Sequence, residues 1–127
     1  MRIHHAGLVC RSEANADRFY QDLLGLKRIR SFTVSSDLSR GLFGFNESFQ
    51  ALTYRNDDIM VEIFIVPEMV PSDPHLHHTG LEVDDRKKFV EKCKGMGVQV
   101  MEVPKGEKMV TMIRDFDGNL FEISKKE

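Results

Sequence analysis

Residues 4–8 read HHAGL and residues 77–81 read HHTGL, the same phrase 73 positions apart with His-His at its head each time. Self-similarity at a fixed offset decides fold class before any single motif does, because a unit written twice is folded twice. The segments that follow each phrase agree. After IHHAGLVC, apolar residues at 16, 19, 20, 23 and 24 mark one face of a helix capped by Ser12 and ended by Gly25. After HHTGLEV, Asp84 or Asp85 caps a helix to about Lys94, with Phe89, Val90 and Cys93 on one face.

Three strands complete each half. In the first they are 26–34, 49–55 and 59–66; in the second, 98–103, 108–115 and 120–124. The segment 35–46, SSDLSRGLFGFN, reads as a loop because of its glycines and turn formers, with Leu42, Phe43 and Phe45 available to line a cavity mouth or to pack on the sheet. The boundary falls in PEMVPSDPH, residues 67–75, which holds three of the four prolines. The sequence therefore predicts an α+β chain of two βαβββ modules, 1–66 and 76–127, within one domain spanning 1–127.

Each half opens on histidines and closes on a glutamate. VEIF (61–64) and FEIS (121–124) both put a Glu-Ile pair in the last strand. Glu62 sits in the nearly unbroken apolar run IMVEIFIV, where a charge withdrawn from water must be paired or must hold a metal. One histidine alone reads more simply as a hydrogen-bonded core residue and Glu122 alone as a solvent-facing one, while Glu62 alone reads equally well either way. Two imidazoles and two carboxylates at matching places suit a divalent transition ion. Strand neighbours point to opposite faces, so one histidine of each pair, His4 with His77 or His5 with His78, faces such a site. Glu82, His75 and His77 are competing donors, and HxHH at 75–78 also reads as a surface patch.

Composition narrows the function. A net charge of −2 with scattered Lys and Arg argues against a nucleic-acid binder; Arg86-Lys87-Lys88 is read as a solvated helical turn. No apolar run approaches the roughly 20 residues that span a bilayer, and MRIHHAG lacks the features of a signal peptide. Cys10 and Cys93 have no metal or redox spacing, so two buried free thiols in a reducing cytoplasm are expected.

The openings IHHAGLVC and HHTGLEVDD, the helix end FYQDLLGL and the closing IRDFDGNLFEI together resemble the vicinal oxygen chelate superfamily, the group of glyoxalase I, bleomycin-resistance proteins and extradiol dioxygenases. The resemblance covers essentially the whole chain. It implies a half-open barrel-like sheet with a metal inside, and a homodimer whose sites draw on both chains. It places the ligands at the second histidine of each opening and at each closing glutamate: His5, Glu62, His78 and Glu122. The ion would be Ni, Co, Zn, Mn or Fe, one per site.

By the same resemblance the activity is of the glyoxalase I (lactoylglutathione lyase) type, a metal-dependent lyase or isomerase moving a proton through an enediolate. Glu122 is then the first choice of base and Glu62 the second. The arginine and asparagine with which small bacterial glyoxalases I hold glutathione match Val9 and Val66 here, so a small oxygenated substrate other than the glutathione adduct is expected. Methylmalonyl-CoA epimerase is the rival enzyme, although its usual residue at the Glu62 position is glutamine. A resistance-type protein that only binds a small ligand is the non-catalytic alternative.

Overall fold

A computed structural model describes residues 1–70 and 76–126. The chain divides into two compact units, Met1–Val70 and Pro71–Glu127. Each carries a four-stranded mixed sheet that does not close on itself. His75 and most of the proline-rich joint fall outside the described residues.

In the first unit, β1 (Ala6–Cys10) leads into helix α1 (Glu13–Ala16), which continues in wider turns over Asp17–Leu23. Ser12 caps the helix by accepting from the Asn15 amide at 3.1 Å. Gly25 ends it with φ +73°, a conformation that only glycine adopts without strain. Strands β2 (Lys27–Val34), β3 (Phe49–Arg55) and β4 (Met60–Ile65) follow, and the sheet order is β1-β4-β3-β2.

Segment 35–46 departs from the loop reading. Residues Ser36–Phe43 form a helix, α2. The signals lie at its ends. Ser35 Oγ accepts from the Leu38 amide at 3.2 Å, and Gly44 closes it at φ +68°. A serine and a glycine that read as turn formers are its caps. The first unit is thus a βαβββ module with a helix inserted between its second and third strands.

The second unit runs β5 (Thr79–Val83), α3 (Arg86–Gly95), β6 (Gln99–Lys105), β7 (Lys108–Arg114) and β8 (Leu120–Lys125), in the order β5-β8-β7-β6. Asp85, not Asp84, caps α3 by accepting from the Lys88 amide at 3.0 Å. Both opening strands start one residue after the second histidine of their phrase, at Ala6 and Thr79.

One face of each sheet is covered by the helix that follows its first strand, α1 with its continuation in the first unit and α3 in the second. In the first unit Leu52, Tyr54, Val61, Ile63 and Cys10 are buried on the side that receives Ala16, Phe19, Tyr20 and Leu23. Tyr20 and Tyr54 rings lie 5.8 Å apart there. The Tyr54 hydroxyl donates to Asp17 at 2.6 Å, and Arg28 binds both oxygens of the same carboxylate at 3.2 and 3.1 Å. Burial and the Asp17 carboxylate hold the Tyr54 phenol well above its ordinary range, so it is neutral at all working pH. In the second unit Val90, Cys93, Val98, Ile113, Phe121 and Ile123 are buried. Cys10 and Cys93 are both free and buried.

Two outcomes follow. Tyr54→Phe removes the bond to a charged acceptor and should lower unfolding free energy by about 1.5 kcal/mol in urea titration. Burial pushes the Cys93 thiol up to about 11, so the reactive thiolate is scarce below that pH. At pH 8 iodoacetamide should label Cys93 in denaturant and leave it intact in the folded protein, as read by peptide mass mapping.

Candidate metal centre

Each unit brings a histidine and a glutamate together by the same pairing. The first and last strands of each unit run parallel, with Ala6 opposite Val61 and Gly7 opposite Glu62 in one, and Thr79 opposite Phe121 and Gly80 opposite Glu122 in the other. Strand alternation puts His5, Gly7 and Glu62 on the sheet face turned away from the helix, and likewise His78, Gly80 and Glu122. His5 Nε2 lies 3.3 Å from Glu62 Oε2, and His78 Nε2 lies 3.7 Å from Glu122 Oε2.

The glutamate strands are aimed by side-chain-tied turns. Before β4, Asn56 Oδ1 accepts from the amides of Asp58 and Ile59 at 2.9 and 2.8 Å. Before β8, Asp115 Oδ1 accepts from the amides of Asp117 and Asn119, both at 2.9 Å, and Asp115 Oδ2 accepts from Asn119 Nδ2 at 2.7 Å. This gives the DFDGN sequence a physical role: its buried first aspartate fixes the turn that sets where Glu122 stands.

The chemistry of the donors fits a divalent ion. Two ligands about 2.1 Å from one ion stand about 3.0 Å apart at a right angle and about 3.4 Å apart at the tetrahedral angle. The observed 3.3 Å falls within that range, and 3.7 Å lies a few tenths of an ångström above it. The tautomer of His78 fits too. Its Nδ1 lies 2.9 Å from the Leu76 carbonyl, which only accepts, so Nδ1 carries a proton. With the second ring nitrogen unprotonated, as metal binding requires, Nε2 presents a lone pair toward a carboxylate, an arrangement that becomes attractive when a cation lies between them. A backbone carbonyl on the remote ring nitrogen is the usual support of a metal-binding histidine. In the first unit His5 Nδ1 lies 2.8 Å from His4 Nδ1, so one ring donates to the other.

The remaining donors fall elsewhere. His77 precedes His78 and alternates away from it. Glu82 is exposed opposite Ser124, two places beyond Gly80 on the Glu122 face. Among the described residues no group of three or more His, Cys, Asp or Glu side chains is gathered within either unit; each holds its own pair.

Of the two readings of Phe43 and Phe45, the structure shows packing on the sheet, and further side chains shape this face. In the first unit it is aromatic: Phe49 lies 5.1 Å from Phe64, and Phe43 of α2 lies 5.6 Å from Phe64 and 6.2 Å from Phe49. Phe32, Phe45 and Val66 pack onto the same cluster, and Arg30 lies over the Phe32 ring at 4.5 Å. Gly7 is small because Phe64 covers it: a Cβ there would meet the ring at 3.3 Å, whereas nothing lies within 4 Å of one at Gly80. The second face carries Met112 and Met101 in the row beside Glu122. Alternation along 49–55 and the phenylalanines of 43–49 were the available signals.

Residues 2–123 match the family model described as the glyoxalase/bleomycin resistance protein/dioxygenase superfamily. The chain belongs to that superfamily. None of the curated proteins matches it in sequence. Solved structures with this superfamily fold include the glyoxalase family protein from Enterococcus faecalis (20% identity, TM-score 0.75, covering 96% of this chain and 95% of that one). The genomically encoded fosfomycin resistance protein FosX from Listeria monocytogenes is 15% identical with a TM-score of 0.74, covering 100% of this chain and 94% of that one. A glutamate-to-glutamine mutant of that protein, solved with Mn(II) and 1S,2S-dihydroxypropylphosphonic acid, is 18% identical with a TM-score of 0.72, covering 97% of this chain and 88% of that one. At these identities the likeness carries the fold of the superfamily.

Nitrogen NMR of the metal-free protein at neutral pH should show His78 as the Nδ1-protonated tautomer, the minor form of free imidazole. The Nε2-protonated form would show that the Leu76 carbonyl does not set this ring.

Proposed function

We propose that this superfamily member is a metal-dependent lyase or isomerase of the glyoxalase I type, with one divalent ion (Ni, Co, Zn, Mn or Fe) held by His5, Glu62, His78 and Glu122. The observation that carries the reading is the duplicated pairing, with one imidazole Nε2 set 3.3 or 3.7 Å from one carboxylate oxygen at equivalent positions. The bound ion would supply electrophilic stabilisation of charge that develops on adjacent oxygens of a substrate.

The protein's own groups account for the proton. A carboxylate that takes a proton from one carbon and returns it to the next must approach both, which favours the less enclosed one. The Glu122 side chain is 42% exposed and that of Glu62 21%. Glu122 is therefore our first choice of base and Glu62 the second. Carbonyl support of His78 holds that ring in one orientation while Glu122 moves.

The substrate is a small oxygenated molecule, with or without a thiol-adduct or thioester arm. Val66 packs into the aromatic cluster, and Val9 pairs with Phe64 across β1 and β4. Both leave apolar surface where a glutathione arm would need polar partners, which supports a different arm. Exposed Leu38, Leu42 and Phe43 on α2 support a homodimer, for which we propose sites shared between chains. The buried free thiols support a cytoplasmic setting. Among the described residues no helix is long and apolar enough to cross a membrane.

The deciding measurement is metal content of the untagged, freshly purified protein by plasma mass spectrometry. About one transition ion per chain is expected, and its loss in His78→Ala. Absence of any ion after Ni, Co, Zn and Mn are offered would leave a ligand-binding protein of the same superfamily. Mechanism is tested by Glu122→Gln, with the hemithioacetal of methylglyoxal and mercaptoethanol as probe. Solvent-deuterium exchange at its carbon should fall at least about 100-fold while the far-ultraviolet circular dichroism is unchanged. Exchange at the wild-type rate would remove Glu122 from the mechanism.

A further inference from the structure

Across the face of the first sheet, one row of side chains runs Gly7, Glu62, Thr53, Arg30 from strand to strand. Thr53 is 5% exposed, and its hydroxyl oxygen is buried without a hydrogen-bond partner. A buried hydroxyl left unpaired costs free energy, so such a group in a native fold calls for a physical reason. The other orphan hydroxyl among the described residues, on Ser39, sits in a helix where the carbonyl one turn back is always at hand. Thr53 lies in a central strand whose backbone groups are committed to the ladders on both sides.

Its neighbours narrow the possible partners. Arg30, opposite on β2, only donates. Ala51 and Arg55, two places along the strand on the same face, offer no acceptor. On the β4 side the neighbours are Met60, Glu62 and Phe64. Among these neighbours the only strong side-chain acceptor is the Glu62 carboxylate directly opposite. Opposed residues of an antiparallel pair have Cβ atoms about 5 Å apart, within the combined reach of a hydroxyl and a glutamate.

We propose that Thr53 is a positioning residue for Glu62: its hydroxyl donates to one carboxylate oxygen when the other is committed to the metal ion. The proposal rests on the metal-dependent reading above and deepens it. A ligating carboxylate is ordinarily held by a hydrogen bond of this kind, which fixes its orientation and strengthens binding. The equivalent row in the second unit runs Gly80, Glu122, Met112, Met101. Met112 stands where Thr53 stands and donates nothing. The duplicated site is thereby made unequal: Glu62 is pinned as a ligand, and Glu122 is left free to swing.

The test is Mn(II) affinity, read by electron paramagnetic resonance of the free ion, in wild type, Thr53→Val and Thr53→Ser, together with the thermal midpoint of each metal-free protein. Valine has the shape of threonine without the hydroxyl. Thr53→Val should weaken Mn(II) binding by about tenfold and Thr53→Ser should restore it. The metal-free midpoint of Thr53→Val should stay level or rise, because the hydroxyl it removes is unpaired there. A merely structural role predicts the opposite, a lower midpoint with unchanged affinity, and that result would overturn the proposal. Equal Mn(II) affinity in wild type and Thr53→Val would overturn it while leaving the metal reading intact. A wild type that binds no Mn(II), Ni, Co or Zn would overturn both.

Discussion

Everything at the candidate centre depends on a parallel pairing between the first and last strands of each unit. Parallel neighbours cannot be joined by a tight turn, so the chain must leave the sheet and return. In the first unit that excursion carries it through two helices and two strands before β4 comes to lie beside β1. The same contact puts a residue near the start of the unit beside one near its end: His5 against Glu62, and His78 against Glu122. If either pair of strands slipped by one position, each glutamate would turn to the helix-covered face and meet the apolar core. The buried partners of that core, Val61 with Ile63 and Phe121 with Ile123, hold the alignment.

The sequence displayed this plan because it was written twice. A repeated phrase and a repeated Glu-Ile pair located both ends of both units, and the helix boundaries at Ser12 and Gly25 were legible as local chemistry, while the cap of α3 was narrowed to Asp84 or Asp85. Segment 36–43 was not, because serine and glycine serve turns and helix ends equally well. Here Ser35 and Gly44 are the boundaries of a helix that brings Phe43 onto the sheet. The choice between the adjacent histidines also lay beyond strand alternation, since either could have faced the glutamate; it came from likeness to the superfamily. Thr53 was invisible for another reason. A threonine in a strand is unremarked until its neighbours are known, and only the pairing of β2, β3 and β4 shows that it stands between Arg30 and Glu62.

The two faces differ more than the duplicated framework would suggest. The first gathers five phenylalanines and an arginine that rests on one of them. The second places methionines in the corresponding row. Duplication provides two copies of a histidine–glutamate pair, and the side chains around the two copies have diverged. A stiff aromatic surface suits holding an apolar part of a ligand in one pose. Methionine is flexible and accommodates groups of several shapes.

The two glycines beside the glutamates carry a consequence for how such a site can be altered. At Gly7 the space next to Glu62 is taken by the Phe64 ring, so any side chain must first displace an aromatic residue from a packed cluster. At Gly80 the corresponding space next to Glu122 is open and the backbone is in an ordinary conformation. One substitution there can set a new hydroxyl, thiol or amide beside that carboxylate without rearranging its surroundings. In the second half of the chain a change of chemistry is a single codon away; in the first it requires coordinated replacement of neighbours.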